Sequence, residues 1–97
     1  MTLYCQGKPE GCKLLRIEAE IDHGEGSSPT IRNLSITGDF FAVPEETFDV
    51  LEASLRDIPL EGFAALFDAR AEKIGLRLAG ISGEGLETVL RSCIDVS

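Results

Sequence analysis

Two lysines frame a short loop near the N-terminus, in the stretch Lys8–Lys13 (KPEGCK). Lysine ammonium groups next to a glycine-containing loop can contact a phosphate group. Lys8 and Lys13 are therefore candidates for residues that lie close to a bound ligand. The stretch lacks the glycine spacing and the final Lys-Ser/Thr pair of a nucleotide cradle. From the pattern alone, a solvated loop that leads into a strand is the favoured interpretation.

The cysteines do not show the spacing of a metal site. Structural zinc needs four ligands, with cysteine pairs two to four residues apart. Cys5, Cys12 and Cys93 are an odd number with irregular spacing. This pattern predicts reduced thiols and no disulfide framework, with Cys93 as a small apolar residue on a buried helical stripe.

The remaining candidate groups are one histidine and a row of carboxylates. His23 falls in a predicted turn, where a solvated imidazole is the favoured interpretation. Glu18, Glu20 and Asp22 alternate along a predicted strand and would share one of its faces. Such a row can hold a hard cation, but the solvent face of an edge strand is the more common origin. The sequence therefore predicts neither a catalytic residue nor a metal site.

Composition limits the partners of this chain. It carries 17 acidic and 9 basic residues, for a net charge of -8. Nucleic acid and anionic membranes attract basic surfaces, so the charge argues against both and leaves room for a basic protein partner. No apolar run approaches the ~20 residues of a membrane span, and the N-terminus lacks the apolar core of a signal peptide. We expect one cytoplasmic domain over residues 1–97.

Alternation of apolar and polar residues predicts the strands. Lys13–Asp22 and Thr30–Thr37 each place apolar side chains at every second position, which is typical of half-buried strands. Phe40 and Phe41 either extend the second strand or form a short third one. The first dozen residues are rich in Gly and Pro and are predicted to be loop.

Helical periodicity dominates the second half. Pro44 suits the first turn of a helix, and Leu60–Ile74 forms a second helix with Gly75 as its C-terminal stop. Leu76–Ile81 fits either a short strand or a connector, and Ser82 would cap a last helix. Strands followed by helices predict an α+β fold, with a small antiparallel sheet of two or three strands and about three helices on one face.

The junction between strand and helix has an unusual sequence, Gly38-Asp39-Phe40-Phe41. Neighbouring strand residues point to opposite faces, so only one aromatic ring enters the core easily. The other ring is then available as an anchor for a partner. The sequence leaves open whether both rings are instead buried.

This junction, taken with the elements around it, resembles the C-terminal accessory domain of lipoate–protein ligases. The resemblance covers nearly the whole chain and rests on Lys8–Lys13, the strand Leu14–Glu20, the stretch Ile36–Phe41 and the acidic helix start at Pro44–Glu46. The loop departs from the family, which usually has a Pro-Gly-Gly-like sequence there. The chain has no counterpart of the family's catalytic domain. In this respect it resembles the split form of the ligase, in which the catalytic and accessory parts are separate polypeptides.

The resemblance implies a role in lipoylation. The complete ligase uses ATP and Mg to convert lipoate to lipoyl-adenylate, then transfers the acyl group to a lysine of an acceptor domain. It implies a non-catalytic accessory subunit whose direct partner is the catalytic subunit and whose indirect partners are lipoyl acceptor domains. This chain alone is expected to bind no cofactor. Gly38, Asp39, Phe40 and Phe41 are expected to form the structural and docking junction.

Two further hypotheses belong to different classes of protein. An iron–sulfur scaffold shares the order of strands and helices, but it needs cysteines on loops around one site. Cys93 on a helical stripe argues against it, as does the lack of a cysteine after the second strand near Gly38. The second hypothesis is a general protein-interaction module unrelated to lipoate.

Overall fold

Two antiparallel sheets and three helices form the part of the chain that the computed structural model describes, residues 1–22 and 29–96. The elements are β1 (Thr2–Gly7), β2 (Leu15–Asp22), β3 (Thr30–Gly38), β4 (Phe41–Val43), α1 (Glu45–Ser54), β5 (Ile58–Pro59), α2 (Phe63–Lys73), β6 (Arg77–Ala79) and α3 (Gly83–Val96). A four-stranded sheet has the order β1-β2-β3-β5, and a two-stranded sheet pairs β4 with β6. The α+β class is confirmed.

The core lies between the apolar face of the larger sheet and the helices. Strand β2 buries every second residue, namely Leu15, Ile17, Ala19 and Ile21. Helices contribute Phe63, Phe67, Leu86 and Leu90, all fully buried. The alternation predicted from the sequence is therefore the alternation of this sheet, and it separates an apolar face from a polar one.

The number of strands is larger than the two or three predicted. Residues 2–7 were predicted to be loop, but they form strand β1, which pairs with β2 so that Cys5 lies opposite Ile17. Leu3 and Cys5 are buried while Tyr4 is exposed. Two buried residues are too short a pattern to distinguish a strand from a loop, so the pairing with β2 decides the structure.

A disulfide joins the two ends of the fold. Cys5 in β1 and Cys93 in α3 are bonded, with 5.8 Å between their Cα atoms and 88 residues between them in sequence. The prediction of reduced thiols is wrong for this pair, and Cys12 is the buried free cysteine of the described chain. Sequence spacing does not reveal that the first strand and the last helix pack together, which is what brings these thiols into reach.

Helix ends follow the predicted signals with small shifts. Ser82 caps α3, since its Oγ accepts a hydrogen bond of 3.0 Å from the Gly85 N–H. Gly75 ends α2 with a φ of +71°, and the N–H of Leu76 reaches back to the Ala71 carbonyl. Pro44 is the residue before α1 rather than part of its first turn.

Helices α2 and α3 cap each other's N-termini. Glu87 of α3 accepts a hydrogen bond of 3.0 Å from the Ala64 N–H at the start of α2. Asp68 of α2 accepts one of the same length from the Gly83 N–H at the start of α3. The close crossing requires glycine at position 83, because a Cβ there would lie 2.3 Å from the Ala64 carbonyl oxygen. The bond from Ala64 lowers the pKa of Glu87.

The predicted turn that carries His23 lies outside the residues that the structure describes. Within residues 1–22 and 29–96, no helix has the length and apolar character needed to cross a bilayer.

The cap from Glu87 predicts a pH-dependent stability. A carboxyl whose pKa is lower in the folded state stabilises the fold above its unfolded pKa and loses this contribution as the pH falls through the folded value. We expect Glu87→Gln to lower the free energy of unfolding by about 1 kcal/mol at pH 7. The difference from the parent protein should shrink below about pH 4.

Urea unfolding at pH 7 and near pH 3 measures this difference. The exposed Glu72 on the same helix pair provides the control, because Glu72→Gln should change stability by less than about 0.5 kcal/mol at either pH. An effect of Glu87→Gln that is equal at both pH values would contradict the capping role.

Candidate functional site

The two segments that the sequence singled out meet at one end of the larger sheet. The Asp39 N–H donates a hydrogen bond of 3.0 Å to the Leu14 carbonyl, directly after Gly38 ends strand β3. The Lys13 N–H donates one of 2.8 Å to the Gly80 carbonyl, just after strand β6. The end of the loop Lys8–Lys13, hereafter the lysine loop, is therefore held by backbone bonds, with Lys13 bonded to Gly80 and the next residue, Leu14, bonded to the junction.

Two glycines allow this close approach. Gly38 has a φ of +149°, and a Cβ there would lie 2.1 Å from the Leu14 carbonyl oxygen. Gly80 has a φ of +80°, and a Cβ there would lie 2.7 Å from Cγ of Lys13. L-residues with side chains disfavour such angles, and neither position has room for a side chain. Gly38 was a predicted site residue, whereas Gly80 was missed because its partner is distant in sequence.

The junction separates its two aromatic residues. Phe40 is half-buried, and its ring packs against Phe48 of α1 with 5.1 Å between centroids. Phe41 starts strand β4 and is 72% exposed. This answers the question that the sequence left open: Phe40 joins the core, and Phe41 faces solvent.

The two lysines do not act as a pair. The side chain of Lys13 crosses Gly80 beside the junction. Lys8 instead lines a cavity of about 450 Å³ between β1 and α3, together with Tyr4, Thr88 and Cys93. The loop N–H groups of Cys12 and Lys13 already donate to the carbonyls of Pro9 and Gly80. The lysine loop on its own therefore does not form a cradle for the phosphates of ATP.

Cys12 anchors the lysine loop on helix α3. A turn with Gly11 at a φ of +77° directs Cys12 inward, and its Sγ lies 3.6 Å from Oγ of Ser82. A Cβ on Gly85 would lie 2.5 Å from that sulfur, so glycine makes room for it. Cysteine at position 12 of this loop thus serves local packing against the start of α3.

Helix α1 covers the edge of β3 beside the junction. Glu52 Oε2 accepts a hydrogen bond of 2.8 Å from the Ile36 N–H, an edge donor that none of the described strands pairs with at this point. Burial raises the pKa of Glu52, and the charge of Asp49 raises it further, while the bond from Ile36 opposes both. The contact positions the acidic helix directly against the strand that leads to Gly38.

The region around the junction is a surface without a cluster of metal-binding side chains among the described residues. Within the described ranges, no group of three or more His, Cys, Asp or Glu side chains is placed to hold a metal ion. The three cysteines are also separated, since Cys5 and Cys93 are bonded to each other and Cys12 lies under the lysine loop. What the junction offers to a partner is an exposed aromatic ring held by a rigid backbone.

Comparison with known proteins identifies a shared fold. No protein-family model and no curated protein matches the sequence. Among solved structures, the chain is similar to one from an archaeal lipoylation system of Thermoplasma acidophilum, described as a bi-partite lipoate protein ligase and its E2 lipoyl domain. The TM-score is 0.68 at 23% identity, over 93% of this chain and 97% of that chain. The likeness covers the whole architecture described above.

The contact between Gly38 and Leu14 predicts a strong requirement for glycine. We expect Gly38→Ala to lower the free energy of unfolding by about 2 kcal/mol or more, because backbone strain adds to a clash with a carbonyl oxygen. Gly11→Ala is the matched control, since Gly11 also has a positive φ but has open space around it. Its cost should be about 1 kcal/mol, from strain alone. Chemical denaturation of both variants measures the difference, and equal costs would contradict the clash.

The junction aromatics should differ in their effect on stability. Phe40→Ala removes a ring that packs against Phe48 and should cost about 1–3 kcal/mol in unfolding free energy. Phe41→Ala removes a ring that faces solvent and should change stability by less than about 0.5 kcal/mol. Thermal and urea unfolding of the two variants tests this, and an equal loss from both would place Phe41 in the core.

Proposed function

We propose that this chain is the accessory subunit of a two-part lipoate–protein ligase and is not catalytic alone. Its direct partner is a separate catalytic chain, and its indirect partners are lipoyl acceptor domains. The complete ligase binds lipoate, ATP and Mg, while this chain contributes surface rather than ligands. A cytoplasmic location is part of the same proposal.

The fold likeness carries the proposal. The similar chain belongs to a bi-partite lipoylation system, and the likeness spans nearly the full length of both chains. The junction that resembles the ligase accessory domain is a structural unit here, since Gly38 and Asp39 contact Leu14, directly after the lysine loop, and Phe41 faces outward. These features support an assembly role better than a catalytic one.

The likeness also favours a second function, because the same system contains an E2 lipoyl domain. A lipoyl acceptor must present a lysine to the ligase, and this chain has three, Lys8, Lys13 and Lys73. We favour the accessory role because the Gly38–Phe41 junction resembles the ligase rather than the acceptor. The mass of this chain after the reaction distinguishes the two functions.

An iron–sulfur scaffold and a general interaction module have less support. A scaffold needs thiolates gathered at one site, whereas Cys5 is bonded to Cys93 and Cys12 packs against Ser82. A general interaction module would use the same exposed surface with an unrelated partner. Failure of this chain to affect any lipoylation step would favour the interaction module.

The accessory role is a way in which a chain that is not catalytic alone can promote a reaction. An acyl-adenylate is easily hydrolysed, so a ligase gains from closing its site around the intermediate. In the proposed assembly, this chain completes or closes the adenylation site of the catalytic chain. Lys13, beside the junction, is then the lysine of the loop nearest to the docking surface, while Lys8 lies on the β1–α3 side.

The test is a reconstituted reaction with a catalytic chain from the same source, lipoate, ATP, Mg and an acceptor domain. We expect lipoylated acceptor to accumulate only when this chain is present, and the mass of this chain to stay unchanged. Formation of lipoyl-adenylate and transfer from supplied lipoyl-adenylate are measured separately. Because of the disulfide, each reaction is run with and without a thiol reductant, and an unrelated acidic protein of similar size serves as the control.

Two outcomes would overturn the proposal. If neither activation nor transfer changes when this chain is added, the chain has no accessory role. If this chain itself gains a lipoyl group, it is an acceptor.

A further inference from the structure

The outer face of the two-stranded sheet carries an exposed apolar patch. Antiparallel pairing places Phe41 opposite Ala79 and Val43 opposite Arg77, and opposed residues share a face. Phe41 is 72% exposed and Val43 is 60% exposed. We call Phe41, Val43 and Ala79 the β4 patch. Apolar side chains that stand side by side on a surface lose contact with water when a partner covers them, and an exposed aromatic ring among them can anchor such a contact.

The α1 side of the β4 patch is acidic. The segment 38–53 contains five carboxylates and no lysine, arginine or histidine; the carboxylates are Asp39, Glu45, Glu46, Asp49 and Glu52. Of these, Glu45 and Asp49 line one groove of about 450 Å³ with Phe41, between β4 and α1. Two cations lie on the β6 side, since Arg77 stands opposite Val43 and the side chain of Lys13 passes over Gly80. The patch is therefore an apolar centre whose α1 side is acidic.

We infer that the β4 patch docks into an apolar pocket of the catalytic ligase chain whose rim carries lysine and arginine. The inference rests on the proposed function and adds the chemistry of the partner surface. A protruding aromatic supplies affinity when a pocket buries it fully. The carboxylates on the α1 side steer a basic partner, and the net charge of -8 opposes association with a second copy of this chain.

The other exposed aromatic of the described chain lies in a different environment. Tyr4 is 75% exposed on the polar face of the larger sheet. Its cross-strand neighbour is Glu18, and the residues two positions away on the same face of β1 are Thr2 and Gln6. Along its own strand face Tyr4 therefore has polar neighbours, whereas Phe41 has Val43 two residues along β4. Tyr4 is therefore a matched control for an aromatic side chain of equal exposure.

Binding to the catalytic chain that responds in the reconstituted reaction tests the inference, measured by calorimetry at low and high salt. We expect Phe41→Ala to raise Kd about tenfold or more, and Tyr4→Ala to leave Kd within about twofold. Both variants should keep the melting temperature of the parent. If Tyr4→Ala weakens binding and Phe41→Ala does not, docking occurs on the polar sheet face and the inference is wrong.

Charge reversal tests the acidic side of the patch. Glu45→Lys and Asp49→Lys together should raise Kd about tenfold in low salt, and the effect should shrink in about 0.5 M salt because exposed charges are then screened. Glu61→Lys and Glu72→Lys together are the control for net charge, because both sites are exposed, they lie before and within α2, and the pair changes the charge by the same amount. Binding that the double reversal leaves unchanged would overturn the inference.

A failure of the docking inference can be distinguished from a failure of the proposed function. If this chain promotes lipoylation but neither set of variants changes Kd, the accessory role stands and the docking surface is elsewhere. If no lipoylation step responds, the docking inference fails with the proposed function. Light scattering measures whether this chain associates with itself. If it does, and Phe41→Ala abolishes the association, the β4 patch binds a second copy of this chain and the inference is wrong.

Discussion

The close passage of Gly38 over the Leu14 carbonyl is the contact on which this molecule depends. It lets the chain leave strand β3 while the next residue, Asp39, donates its N–H to that same carbonyl. A side chain at position 38 would occupy the space of the oxygen. The lysine loop and the start of β4 are therefore fixed relative to each other by backbone contacts, which neither salt nor pH loosens as it would an ion pair.

Helix α3 extends this rigidity across the molecule. Its first turn receives Cys12 in the space left by Gly85 and is capped by Asp68 from α2. Its last turns are joined to β1 through Cys5 and Cys93. A cross-link that closes a loop of this length stabilises a fold by about 4.6 kcal/mol in the chain-entropy model, which is substantial for a chain whose core is small. The lysine loop thus lies between two anchored elements.

Local patterns in the sequence predict the elements but not their contacts. Alternation in β2, the stop at Gly75 and the cap at Ser82 are each encoded within a few residues, and all three are present in the structure. Strand β1 and the Cys5–Cys93 bond depend on packing between the ends of the chain, so no local pattern reveals them. Conventional spacing rules for cysteine fail here for the same reason.

In the candidate site, too, the sequence indicates the residues themselves but not the distant residues that they contact. Its glycine and aromatic residues stand out in the sequence, because a Gly-Asp-Phe-Phe junction ahead of an acidic helix is distinctive. The partners of that junction, Gly80 above all, come from a strand that is distant along the chain. Which aromatic is exposed depends on where α1 packs, and α1 is held by its buried residues Phe48 and Leu51 and by the contact of Glu52 with the edge of β3.

The exposure of Phe41 is a consequence of the burial of Phe40. Packing against Phe48 fixes the direction of Phe40, and the next residue of an extended chain must then point away from the core. The pairing of β4 with β6 keeps that direction, since a shift by one residue would bury Phe41 and expose Ala42. The aromatic ring is thus presented by a backbone that the core already holds, so little conformational freedom remains to be lost on binding.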